Sequence, residues 1–266
     1  MKALLRASWI LFQAHLWRVF RTRRALVAAG LSALPLILAV VVRQVSRFEG
    51  PAPIELLISL LWFLLVQTIV PLVALVSASP VVAEEIEDRT ITYLFTRPIP
   101  RAAILCGRWL AAALPIVVLL CVSAELIVRT LAETGGAESH EAWMPAGFHG
   151  RVLLTVAMGG AVYSAVFAAM GALVKRPMLV GLGYTFVYEG FLGNLPGSNQ
   201  KGTVVYYLRS YLFSAYPELV GDTREAIFSV PLVEPSSAVL HLGMILFGLL
   251  ALGAWRFTRR EYVLAA

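Results

Sequence analysis

Six stretches of this chain, 25–42, 54–79, 102–128, 152–174, 178–195 and 236–255, read as bilayer-crossing helices, which need about 20 predominantly apolar residues. Inside hydrocarbon every backbone N–H and C=O has to be satisfied within its own segment, so such blocks are read as helices. The expected fold is an all-α integral membrane protein of six transmembrane helices, one transmembrane domain over residues 1–266. Composition agrees: mean hydropathy is +0.78, and only 14% of residues are charged, against about 25% in soluble domains. The block 178–195 is the weakest of the six, being short and interrupted by Gly181, Gly183, Glu189 and Gly190.

Charge placement sets the expected orientation. Net charge is +6, but the basic residues gather at block ends, which suits lipid headgroups and a membrane surface rather than nucleic acid. With the N-terminus placed in the cytoplasm, segments 1–24, 80–108, 175–177 and 256–266 hold 15 of the 22 Lys and Arg. Six spans then leave both termini cytoplasmic. Ahead of the first span, Leu5, Trp9, Phe12, Leu16, Val19 and Phe20 share one helical stripe, with Arg18 and Arg21 pointing away. That pattern predicts an interfacial helix over 3–22. Cys106 and Cys121 lie in one apolar block about 22 Å apart along a helix, too far for a disulfide.

Two outer connections contain features of their own. Residues 129–151 collect His140, Glu141, Met144 and His149, residue types that hold metals, but at no spacing that defines a site. A polar surface loop is the expectation there. Residues 196–235 include "VVYYLRSYLFSAY", expected as a short helix lying at the outer surface.

The connection between the second and third blocks is unlike the others. Four of the chain's 16 acids, Glu84, Glu85, Glu87 and Asp88, fall within five positions. Ser79-Pro80 is a helix-start signal, and each proline of "RPIPR" biases the residue before it away from helical geometry. A short helix over 80–95 is expected, with Val82, Ile86, Tyr93 and Leu94 on one side and the acids on most of the rest. Glu85 and Arg89 are spaced to pair at i and i+4, a matter of a few tenths of a kcal/mol. Acidic residues contribute little to topology, so a loop that only enforced orientation would not need four of them.

The run Glu85, Glu87, Asp88, Thr90, Ile91, Leu94, Pro98, Arg101, Gly107 and Arg108 resembles the signature of type-2 ABC transporter permeases. Arg89 stands where the family usually has glycine, and Arg108 where it has lysine. The six spans, the N-terminal helix and the long connection before the last span fit the same family. The chain is also broadly similar to the permease subunit of the nitrous oxide reductase copper-maturation transporter. The resemblance implies a permease, generally an exporter, of the plasma or inner membrane. It also implies that residues 80–95 are a coupling helix docking on a separate ABC ATPase through Glu84, Glu85, Ile86, Glu87, Asp88, Arg89, Thr90, Tyr93, Leu94, Pro98 and Arg101. A second permease copy or homologue is implied as well. ATP and Mg would be held by the partner: the chain has no G-x-x-x-x-G-K-[ST] phosphate loop, so this subunit is expected to be no enzyme and to bind no cofactor. The excess of arginine over its three lysines suits a GC-rich bacterial genome.

Within the blocks, Glu189 draws notice because a carboxylate there costs a few kcal/mol unless paired, protonated or facing water. It either lines a translocation path and pins the broken outer end of its span, or caps and pairs with the outer loop. Gln67 and His241 are placed to bond across helices, with Gln67 a further candidate for the path or an outer gate. Glu125 and Arg129 are spaced for a local ion pair. Ala157, Ala161, Ala165 and Ala169, beside Gly160, Ser164 and Ala168, form a small-residue row that permits close helix contact, at a subunit interface or elsewhere. The alternatives of another class are an intramembrane enzyme and a non-transporting assembly factor. Ser164 and His241 are the nearest imitation of a catalytic dyad, and Asp88 and Asp222, the only aspartates, lie outside the blocks.

Overall fold

The computed structural model describes residues 22–45, 57–80, 101–132, 144–195, 197–216, 219 and 231–259. Every regular element among them is helical. The expected interfacial helix over 3–22 and the expected coupling helix over 80–95 lie outside the described residues, apart from Thr22 and Pro80.

The first three spans are α1, Arg23–Val45, then α2, and α3, Arg101–Ala132. Helix α2 is wound as a π-helix over Ser59–Ile69 and as an α-helix over Val70–Ala78. The wide winding is visible in its bonds, since the Val70 N–H reaches Leu65 and the Thr68 hydroxyl donates to Phe63, each five residues back. Span four is α4, Phe148–Leu173. The fifth block begins as α5, Pro177–Gly183, continues as a π-helix over Tyr184–Phe191, and ends in a 3-10 turn, Leu192–Asn194. Helix α6, Val204–Phe213, and helix α7, Pro235–Arg259, complete the chain. Among the described residues five helices, α1, α2, α3, α4 and α7, are long and apolar enough to cross a membrane. The remaining block, 178–195, is helical as far as Asn194 but changes winding twice.

Helix α4 is the hub, with α2, α3, α5, α6 and α7 all packed on it. Of its apolar window 72% is buried, against 22% in α1 and in α7, so those two are peripheral. The small-residue row explains the close packing, and it is used inside the chain. A methyl group on Gly160 would sit 3.2 Å from Val117 of α3, and one on Gly159 would sit 3.2 Å from both Val70 of α2 and Leu208 of α6. Ala165 and Ala169 are buried, the latter facing Gly253 of α7. Outward faces stay apolar, with Leu114, Val118 and Val122 on α3 and Leu240, Met244 and Phe247 on α7 exposed. This is the distribution expected of a protein whose solvent is lipid.

Contacts between helices also sort their ends. Leu75 of α2 abuts Gly181 of α5, while Leu105 of α3 abuts Gly253 of α7. The end of α2, the start of α3, the end of α4, the start of α5 and the end of α7 therefore share one end of the bundle. The segment 81–100 departs from and returns to that end, where Arg108, Lys175, Arg176 and Arg256 also lie.

Candidate functional site

At the other end of the bundle the chain does something that periodicity did not foresee. Helix α6 does not lie flat across the outer surface; it runs antiparallel to α4 and packs along it. Its first residues meet the level of Tyr163 through Glu189, Leu208 meets Gly159, and the Tyr211 carbonyl accepts from Arg151 at 3.0 Å. Just beyond α6, the Tyr216 ring packs edge-on to Phe148 at 5.3 Å. From Phe148 to Tyr163 the axis of α4 advances about 22 Å. The N-terminus of α6 is thus sunk well into the bundle, which explains why Val204, Val205, Tyr206 and Arg209 are buried in a helix expected at the outer surface.

A sunken helix start leaves its first N–H groups without partners, and Glu189 supplies them. The carboxylate is fully buried. Its Oε1 accepts from the Val204 N–H at 3.1 Å and from the Tyr184 hydroxyl at 2.5 Å. Its Oε2 accepts from the Val205 N–H at 3.0 Å and from the Tyr163 hydroxyl at 3.0 Å. Thr203, the N-cap, takes the next N–H, that of Tyr206, at 3.3 Å. The first three amides of α6 are all satisfied by side chains. Two backbone N–H groups can only donate, so both oxygens must accept, and the positive end of the helix favours an anion there. Each oxygen thus faces one backbone amide and one phenol.

The connection between Glu189 and α6 is itself cross-braced. Gln200, fully buried, donates to the Leu195 carbonyl at 2.7 Å and accepts from Arg209 at 2.6 Å. The Tyr188 hydroxyl donates to the Gly202 carbonyl at 3.1 Å. Gly197 makes the turn with φ +118° and ψ 176°, a backbone region essentially closed to other residues. Stacked Tyr184 and Tyr188, with centroids 5.2 Å apart, and Phe167, edge-on to Tyr184 at 6.0 Å, wall the carboxylate with aromatic rings.

Tyr184 shows why sequence reasoning missed part of this centre. It lies five residues before Glu189, on the same face only because the helix is π-wound there. Tyr163 and the two valine amides come from elements far away in sequence and carry no local signal at all.

Gln67 contributes nothing to this cluster. It sits in the π-wound part of α2, and its Oε1 is buried with no hydrogen-bond partner among the described residues. The π-wound parts of α2 and of the fifth block do pack against each other. His241 does not bond across helices as expected. Its Nδ1 bonds to the Ser237 carbonyl of its own helix at 2.7 Å, and its ring stacks on Tyr207 of α6 at 4.8 Å. The residues Glu84 to Pro98 lie outside the described residues, and Arg101 opens α3. Gly107 and Arg108 fall in its second turn, where Arg108 is buried.

The remaining candidates resolve into local structure. Arg129 donates to Glu125 at 2.7 Å, and His149 approaches the other carboxylate oxygen at 2.6 Å, so three residues join the end of α3 to the start of α4. Met144 is packed in the apolar core, and among the described residues no group of three or more His, Cys, Asp and Glu is placed to hold a metal. Ser164 accepts from Trp109 at 3.0 Å and donates to Ala161 at 2.7 Å. His241 is engaged elsewhere, so the imitation dyad is not assembled.

A hub span, five membrane-length helices and an inserted helix before the last span describe a membrane-embedded protein. The sequence profile described as "ABC-2 family transporter protein" matches residues 31–262. The chain belongs to the ABC-2 transporter family. It is accordingly a permease subunit of an ABC transporter, and that family membership implies an ATPase partner. No curated protein matches the chain.

Proposed function

We propose that this permease is the six-span half of an exporter, driven by ATP hydrolysis on a separate subunit that grips a coupling helix over residues 80–95. The observation that supports the reading is that α2 ends and α3 starts at the same end of the bundle. The segment 80–95 falls between the end of α2 at Ala78 and the start of α3 at Arg101, and both belong to the end of the bundle where the basic residues cluster, which the positive-inside rule makes cytoplasmic. Both termini are cytoplasmic on the same ground. Displacement of a helix in so short a connection moves the two spans on either side of it. The acidic face of Glu84, Glu85, Glu87 and Asp88 meets the partner, with Ile86, Tyr93 and Leu94 filling an apolar groove. Two permease copies, or this chain and a homologue, enclose the pathway. This subunit binds no nucleotide and no metal of its own.

Charge reversal at the four acids tests the reading. The ATPase is expected to dissociate from the purified complex, and permease-dependent hydrolysis to fall to the level of the ATPase alone. A reversed variant that keeps its partner and its coupled hydrolysis would overturn the assignment.

A further inference from the structure

Helix α6 is held at its two ends by different helices. At its N-terminus two amides rest on one side chain, Glu189 of the fifth block. Along its length it packs on α7 and α4, and it also touches span two at Leu208 and at its far end. Leu208 and Val70 would each lie 3.2 Å from a methyl group on Gly159, and the Phe213 ring meets Trp62 edge-on at 5.5 Å. Gly159 has no side chain, so α2 and α6 approach each other across α4 at that point. Trp62 is nearly inaccessible, which leaves little slack for α2 to move without moving Phe213. The same span two runs on into the segment 81–100 at the opposite end. The stretch that presents Glu189 is π-wound, a winding that recurs at functional sites and that has a tighter α-helical alternative. In that alternative Tyr184 and Glu189, five residues apart, no longer share a face.

We propose that α6 is a moving outer element driven by span two, and that Glu189 is its latch: a positioning residue whose carboxylate holds the α6 N-terminus against spans four and five until span two shifts. The proposal rests on the reading of the chain as an ATPase-driven permease. Neither end of α6 is fastened by an apolar plug alone. The deep end is held by two backbone bonds to one side chain, made when the helix is aligned and lost when it tilts. In the nucleotide-free state the latch is closed. Nucleotide closure of the partner displaces span two, carries Phe213 and Leu208 with it, and draws Val204 and Val205 off the carboxylate.

Amide hydrogen exchange on the purified full chain, alone and in complex with its ATPase, tests both parts. In the chain alone, Glu189→Gln is expected to speed exchange at Val204 and Val205 by at least tenfold while peptides from α3 and α7 stay unchanged. Tyr184→Phe, which removes one donor and leaves both amide bonds, is expected to raise it only a few-fold, and it keeps the test open should Glu189→Gln fold poorly. In the wild-type complex, a non-hydrolysable ATP analogue is expected to raise exchange at 203–206 relative to the nucleotide-free complex. Unchanged exchange at 204 and 205 in both variants removes the latch. Equal protection with and without the analogue, in a complex that does form, removes the movement. A chain that associates with no ATPase defeats the functional reading and the drive together, and the measurement on the chain alone still decides the latch.

Discussion

Glutamine at position 189 preserves the size of the side chain and replaces one carboxylate oxygen with an N–H₂ group, so its effect on stability is worked from the bonds already described. Each oxygen of Glu189 serves one phenol and one backbone amide: Tyr184 with Val204, and Tyr163 with Val205. A phenol facing the new N–H₂ can turn and accept from it. A backbone N–H cannot. One buried amide is therefore left against another donor, at about 1–3 kcal/mol. Losing the negative charge at a helix start adds about 0.3–2 kcal/mol. The neutral amide is easier to bury than a carboxylate, which offsets part of this. We expect a net loss of about 2 kcal/mol, or roughly a thirtyfold shift in the unfolding equilibrium. Reversible unfolding in mixed detergent micelles, followed by helix signal and by the exposure of the tyrosines, measures it. A Glu189→Gln variant as stable as the wild type would refute the reasoning. That result would mean that the Val204 and Val205 amides do not depend on the carboxylate.

Two further substitutions follow from the same region. Thr203→Ala removes the acceptor for the Tyr206 amide and the donor to the Gln200 carbonyl; about 1 kcal/mol of stability is expected to go with the cap, read in the same unfolding assay and as faster exchange at Tyr206. Gly197→Ala places a Cβ on a backbone with φ +118° and ψ 176°, so a loss of about 1–3 kcal/mol is expected, although open space surrounds the new methyl group. An unchanged midpoint there would mean that the turn is free to take another shape.

Much of the helical scaffold was legible because the signals are local. Length and apolarity alone mark a span, and α1, α2, α3, α4 and α7 cover their blocks with ends displaced by a few residues. The Glu125–Arg129 pair follows from i,i+4 spacing; its third member, His149, does not, because it comes from the next helix. The small-residue row on α4 promised close packing without naming the neighbours. Those neighbours are α2, α3, α6 and α7 of the same chain. The 178–195 block looked weak in sequence for a reason visible in its winding, which turns from α to π to 3-10 within 18 residues.

By itself the sequence determined that this chain lives in a membrane, where its spans fall, which connection carries the concentrated acid, and that Glu189 is out of place among apolar neighbours. These properties are sums over adjacent residues, and hydrocarbon reads them directly. What the carboxylate is for was decided only by tertiary structure. Its partners are a tyrosine on another span, a tyrosine brought round by a π-turn, and two amides of a helix sunk antiparallel to span four. A hydrogen bond depends on position and direction in space, and those are properties of packing rather than of the order of residues.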